Sequence, residues 1–230
     1  MTDRWKRIVP PVAGVVFVGL VVVGIAISNT PDSGSSGAKV IDFYQSHHGR
    51  ASASIFIFGY ASVMAVVFYV GMAAYLRRRG SDLLATLTIV GGALTAVGLG
   101  LGAGTTAALA DKTSKLSAGA AQALNQVSED IFFVTLFGGL MIATLAMGIA
   151  ILRTGAMPKA LGIVTVVVGV VAVSGIGAWF AFLGSAPLTL VLAGYLYLRT
   201  GQPESVSLPD VDVPGQRAAE PAAKQAKAKA

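Results

Sequence analysis

The sequence predicts an all-α fold: a polytopic membrane bundle of six transmembrane helices with both termini in the cytoplasm. Hydrophobic residues make up 54% of the 230 residues and charged residues only 12%, about half the charged share of an average soluble domain. The apolar residues fall into long runs, and the runs 131–152 and 160–182 carry no charge. Because a helix rises about 1.5 Å per residue, each run can cross a hydrocarbon core of about 30 Å.

A short basic hinge, residues 153–159, joins these two runs. Gly155 suits the position just past the end of one helix, and Pro158 suits the first turn of the next, where its missing N–H costs nothing. Positively charged loops stay in the cytoplasm, so the hinge predicts the orientation of the chain.

The distribution of charge agrees with that orientation. Of 17 Lys/Arg residues, only Lys39, Arg50, Lys112 and Lys115 fall in segments predicted to lie outside. The predicted cytoplasmic segments hold the other thirteen: Arg4, Lys6, Arg7, Arg77, Arg78, Arg79, Arg153, Lys159, Arg199, Arg217, Lys224, Lys227 and Lys229. Membrane insertion accounts for this asymmetry, so the net charge of +6 requires no nucleic acid as a partner.

The first predicted span covers residues 8–28 and follows a basic N-terminal segment. Pro10 and Pro11 fall in its first turn, where proline is tolerated. A cleaved signal peptide is the alternative, because residues 26–28 resemble a small-residue cleavage site. The apolar run is longer than the about 7–15 residues of a signal peptide core, which favours a retained helix.

A polar loop and a short amphipathic helix precede the second span. Residues 29–37 contain no large hydrophobic side chain, whereas Val40, Ile41 and Tyr44 recur at helical spacing. We expect a helix here that lies on the outer surface of the membrane. The second span, 51–76, ends at three consecutive arginines.

The third predicted span, 83–110, is the richest in glycine. Small residues recur there at every fourth position: Gly92, Ala96, Gly100, Gly104 and Ala108. Such a ridge allows neighbouring membrane helices to approach closely, so we expect helix packing along it. The glycines of 98–104 superficially resemble a dinucleotide-binding loop, but no strand precedes them and they lie inside an apolar span.

Three further spans complete the bundle. Residues 111–128 form a predicted outer loop that runs into a helical extension of the fourth span, 129–152. The fifth span covers 158–182, and a minimal turn at Gly184 and Ser185 leads into the sixth, 184–199. Residues 201–230 are rich in Pro, Ala, Lys and Glu, which predicts a disordered cytoplasmic tail.

The hinge carries a resemblance to a known family. The residues RTGAMPKALG at 153–162 fit the pattern R-x-G-x-x-P-K-x-L-G between spans four and five. In this respect the chain resembles a family of uncharacterised bacterial six-span integral membrane proteins. The segment FYQSHHGR at 43–50 is similar to the outer helix of that family. The resemblance implies the six-span layout in a bacterial cytoplasmic membrane and no activity, catalytic residue or cofactor.

Charged groups are absent from the interiors of the predicted spans, which disfavours ion-coupled transport. The chain has no cysteine, so thiol chemistry is excluded. The remaining polar candidates form a predicted outer-face cluster: His47, His48, Arg50, Glu129 and Asp130. Adjacent histidines on a helix point about 100° apart and cannot easily share one metal. We therefore expect no metal site, no cofactor and no catalytic residue.

Two functional hypotheses follow. The first is a non-catalytic accessory or scaffold subunit, whose partners are the lipid bilayer and other membrane proteins that contact the glycine-rich span. The alternative is a carrier or binding protein for lipid or another apolar solute. An enzyme ranks third, since a serine nucleophile needs a base that no span supplies.

Overall fold

The computed structural model of the protein describes residues 3–28, 30–173 and 176–200, and its regular structure there is entirely helical. The α-helices follow in this order: α1 Asp3–Ile27, α2 Gly37–Ser46, α3 His48–Arg78, α4 Asp82–Lys112, α5 Ala118–Thr154, α6 Lys159–Val173 and α7 Ile176–Thr200. A 3₁₀ turn, Thr113–Lys115, follows α4. The predicted tail, 201–230, lies outside the described residues.

Five of these helices, α1, α3, α4, α5 and α7, are long and apolar enough to cross a membrane. The prediction of an all-α fold is therefore confirmed, and five apolar helices of this length indicate a multi-pass membrane protein. Helix α6 is apolar but has only 15 residues, which corresponds to a length of about 22 Å.

The helices form a closed ring in the order α1, α3, α4, α5, α6, α7, with α7 packed back against α1. At one end of the ring lie the hinge, the start of α1 and the end of α7; we call it the hinge end. There the hydroxyl of Tyr75 donates to the backbone oxygen of Ala156 at 2.6 Å, which ties α3 to the hinge. Gly155 has a φ of 61°, a left-handed conformation that glycine adopts without strain, and it ends α5.

The opposite end carries a small helical cap with a hydrophobic core of its own. Helix α5 has 37 residues and is about 56 Å long, so its first part extends beyond the span. Val40 and Tyr44 of α2 pack there against Leu109 of α4 and Ala121 of α5. The predicted amphipathic helix and the predicted helical extension of the fourth span are thus both present, and they pack against each other.

The predicted boundary between the last two spans is wrong. We expected one helix over 158–182 and a turn at Gly184 and Ser185, but α6 ends at Val173 and α7 begins at Ile176. Both predicted turn residues lie inside α7, where the Ser185 hydroxyl donates to the backbone oxygen of Phe182 at 2.6 Å. A serine inside a helix can satisfy its hydroxyl on a carbonyl of the preceding turn, as Ser185 does, and therefore does not have to end the helix.

Helices α4 and α5 approach each other most closely where glycines face backbone. A methyl group on Gly139 would lie 2.6 Å from the backbone oxygen of Gly91, and one on Gly98 would lie 2.7 Å from the backbone nitrogen of Leu136. Contacts this short require the absence of a side chain, as in other membrane helix pairs that pack through small residues.

The predicted ridge of α4 does not form one packing face. Gly92 and Ala96 are buried, and Gly92 faces the ring of Tyr69. Gly100 and Gly104 are exposed, and a methyl group on Gly104 would meet no atom within 4 Å. Four residues turn a helix by about 400°, so a ridge with that spacing winds steadily around the axis and leaves the contact face.

The pair Gly138 and Gly139 tests the close contact of α4 and α5. We expect Gly139→Ala to lower the free energy of unfolding by about 1–3 kcal/mol, because backbone must move to accommodate the methyl group. Gly138→Ala meets no atom within 4 Å and should raise stability by about 0.5–1 kcal/mol through the lower entropy of the unfolded chain. Thermal unfolding in detergent, followed by circular dichroism, measures both; equal behaviour of the two variants would contradict the packing.

Candidate functional site

A cavity of about 340 Å³ lies where the cap meets the membrane-spanning part of the bundle. This cap cavity is lined by residues of α1, α2, α3, α4, α5 and α7 and of the segment after α1. Its volume falls within the range of about 300–1,000 Å³ that is usual for small-molecule sites. We therefore consider it the candidate functional site.

The part of the cap cavity that extends into the bundle is aromatic. Its rings are those of Phe58, Phe132, Phe133, Trp179 and Phe182. The ring of Trp179 meets that of Phe133 edge to face, with centroids 5.3 Å apart, and that of Phe182 at 6.2 Å. Edge-to-face contacts of this kind are a favourable arrangement of aromatic rings, so these side chains together form an apolar wall of the cavity.

Polar side chains line the part of the cap cavity nearest the cap. They include Tyr44, Thr106, Asn125, Ser128 and Glu129. Burial raises the pKa of the Tyr44 phenol, and a hydrogen bond with Thr106 opposes that rise in part. The phenol therefore stays neutral at physiological pH. The cavity consequently has a polar side and an apolar side.

Asn125 fixes the segment that closes the cap cavity beside α1. Its side-chain nitrogen donates to the backbone oxygen of Asp32 at 3.2 Å and to that of Pro31 at 3.4 Å. Pro31 itself lines the cavity. Since Asn125 is buried, these two bonds satisfy an amide that would otherwise be costly to remove from water.

A small side pocket of about 10 Å³ adjoins the cap cavity and shares Tyr44 and Thr106 with it. His47 and Arg50 line this side pocket. The His47 ring stacks on Phe43 with centroids 4.6 Å apart, and its Nδ1 lies 2.8 Å from the Ser46 hydroxyl. The space suffices for about one water molecule.

The structure does not unite the predicted outer-face cluster. His48 approaches Asp111, with 3.7 Å between Nε2 and Oδ1, and both side chains are exposed. Among the described residues, Arg50 forms no ion pair with Glu129 or Asp130, and no group of three His, Asp or Glu side chains is placed to bind a metal. Glu129 lines the cap cavity, whereas Asp130 is exposed and does not.

The aromatic wall is the part of the site that the sequence analysis missed. Phe132 and Phe133 begin the fourth predicted span, and Trp179 and Phe182 lie where the fifth was expected to end. The concentration of aromatic residues at one end of two predicted spans was the sequence signal for this wall. The sequence analysis assigned Trp179 and Phe182 to the end of the fifth span, and so it did not place them near the start of α7, beside Phe133.

A groove between α5 and the α6–α7 hairpin leads away from the cap cavity. Val134, Phe137, Met141 and Val173 line it, and it shares Phe133 and Trp179 with the cavity. Phe133 and Trp179 therefore lie between the cap cavity and a more open apolar surface. The side chain of Trp179 is 52% exposed, which fits a position at that boundary.

Comparison of the chain with protein-family models, curated proteins and solved structures finds no match. The resemblance drawn from the hinge residues therefore stays a prediction.

Replacing Asn125 tests its hold on the segment that closes the cap cavity. We expect Asn125→Ala to lower the free energy of unfolding by about 1–3 kcal/mol, because two backbone oxygens lose their donor. Amide hydrogen exchange of residues 28–36 should become faster. The neighbouring, exposed Gln126 gives the control, since Gln126→Ala removes no such bond. Hydrogen exchange followed by mass spectrometry makes the comparison; unchanged exchange in Asn125→Ala would contradict the assignment.

Proposed function

We propose that this protein is a non-catalytic membrane protein that binds an amphipathic ligand taken from the bilayer, a lipid or another largely apolar solute. The observation that carries the proposal is the cap cavity, with an aromatic wall on one side and hydroxyl, amide and carboxylate groups on the other. An amphipathic molecule matches this division, since its polar group finds hydrogen-bond partners while its apolar part avoids water.

The groove between α5 and the α6–α7 hairpin supports entry from the side. It is lined by apolar side chains along the membrane-spanning helices and meets the cap cavity at Phe133 and Trp179. A ligand that moves along the groove keeps its apolar part in contact with hydrocarbon or with aromatic rings throughout. The ligand therefore does not expose its apolar surface to water, which would be unfavourable in free energy.

The proposal includes a topology: six crossings in a bacterial cytoplasmic membrane, with α6 and α7 as the last hairpin and the hinge end in the cytoplasm. The described hinge end carries many more basic than acidic residues, whereas the cap carries Lys39, Arg50, Lys112 and Lys115 among several acidic residues. The positive-inside rule favours this orientation. The cap cavity then faces the outer side of the membrane.

Native mass spectrometry of protein released gently from its membrane tests the proposed function. We expect one small molecule to be retained per chain, and we expect Ala103→Phe to abolish its retention. Ala103 is buried and lines the cap cavity, so the added ring fills the space that the ligand needs. Ala108→Phe is the matched control, because Ala108 is exposed on the same helix and does not line the cavity.

Two outcomes of this experiment would contradict the proposed ligand-binding function. Equal retention by Ala103→Phe and Ala108→Phe, with both folded by circular dichroism, would place the bound molecule elsewhere and overturn the proposal. A chain that carries a stoichiometric protein companion and no small molecule would favour a second function, that of an accessory or scaffold subunit.

One observation favours that second function. Gly100 and Gly104 are exposed on α4, and a methyl group on Gly100 would meet only the Ser62 hydroxyl, at 3.8 Å. An exposed pair of glycines on a membrane-spanning helix offers a surface for a close helix contact with another chain. Under this second function, the partners of the chain would be the bilayer and another membrane protein, and not nucleic acid.

Gly100→Leu tests the accessory-subunit function. We expect it to weaken assembly with a second chain, because the isobutyl group separates the two helices by several ångströms. Gly59→Leu on α3 is the control, since a methyl group there meets no atom within 4 Å. Size-exclusion chromatography with light scattering reports the mass of the assembly, and an unchanged mass in Gly100→Leu would count against this function.

A further inference from the structure

We propose that the ligand of the cap cavity is a monovalent organic cation with an apolar body, and that Glu129 supplies its counter-charge. This inference rests on the proposed function and adds the charge of the ligand to it. It follows from three features of the described cavity: the number of its aromatic rings, the position of one carboxylate, and a lining that contains no Lys or Arg.

Aromatic rings make up a large part of the lining of the cap cavity. Six of its lining residues are aromatic: Tyr44, Phe58, Phe132, Phe133, Trp179 and Phe182. The face of an aromatic ring carries partial negative charge, so it attracts a cation within about 6 Å of its centroid, and tryptophan does so most strongly. An organic cation gains this attraction and apolar contact together, whereas an anion gains only the contact.

Glu129 is the one charged side chain among the described residues that line the cap cavity. It lies on α5 three residues before Phe132 and four before Phe133, so the carboxylate and the two rings share one side of the helix. The Glu129 side chain is partly buried. A partly desolvated carboxylate attracts a cation more strongly than it would in water, since the effective dielectric constant is lower.

No Lys or Arg side chain is among the described residues that line the cap cavity. Arg50 lines the adjoining side pocket of about 10 Å³, and Lys39, Lys112 and Lys115 line neither space. An anionic ligand in the cap cavity would therefore meet the Glu129 carboxylate with no Lys or Arg in the same lining.

A pair of probes of nearly equal size and opposite charge tests the inference: tetraphenylphosphonium and tetraphenylborate. Binding to the full chain is measured by isothermal titration calorimetry in a non-ionic detergent, so that partition into micelles is the same for every variant. We expect saturable binding of the phosphonium, and a rise in its Kd of about tenfold or more in Glu129→Gln, equivalent to about 1.4 kcal/mol. The glutamine keeps the shape of the side chain and removes only its charge.

Asp130→Asn is the matched control, because Asp130 follows Glu129 on the same helix, is exposed and does not line the cap cavity. Its Kd for the phosphonium should stay within about twofold of that of the unchanged chain. Equal effects of the two substitutions, or none in Glu129→Gln, would overturn the assignment of Glu129. Ala103→Phe should abolish binding of the phosphonium.

The two proposals fail in different ways. Retention of a small molecule that is lost in Ala103→Phe, combined with tighter binding of tetraphenylborate than of tetraphenylphosphonium, would overturn the cationic ligand and leave the proposed function standing. If no small molecule is retained and neither probe responds to Ala103→Phe, both the proposed function and the inference are overturned.

Discussion

The close contact between α4 and α5 determines the shape of the bundle around it. Near Gly91 and Gly139 the two backbones touch, because neither helix carries a side chain there. Towards the cap the contact changes character: a methyl group on Gly102 would already meet the ring of Phe132, at 2.8 Å. The two helices are thus held together in the middle by glycine and spaced by aromatic rings at the cap, and the cap cavity occupies the space that results.

Hydropathy predicted the all-α class of the fold and its five helices long enough to cross a membrane, since apolar runs of sufficient length have few alternatives to a helix in hydrocarbon. The positions of α1, α3 and α4 follow from it within a few residues. It could not locate the end of α6, because the residues on both sides of that boundary are equally apolar. Nor does a spacing of four residues tell which glycines meet a neighbour, as the opposite environments of Gly92 and Gly104 illustrate.

The candidate site was harder to predict than the fold, because its residues come from six helices and from the segment after α1. Glu129 was recognised from the sequence as one of a few charged residues near a span, but Asp130 looked equivalent to it. Only the rotation of α5 distinguishes the two side chains, and tertiary packing sets that rotation. The same packing separates Arg50 from the acidic residues with which its sequence position had grouped it.

In the proposed topology, the shortness of α6 would affect the lipids beside it. The described residues of α6, which lie next to the 37-residue α5, are about 22 Å long, less than the about 30 Å of a hydrocarbon layer. With α6 as a crossing, acyl chains at that point would tilt or compress to keep polar headgroups away from apolar surface. The bilayer would then be under local elastic strain along the groove that leads to Trp179, and a molecule that left the bilayer there would relieve part of it.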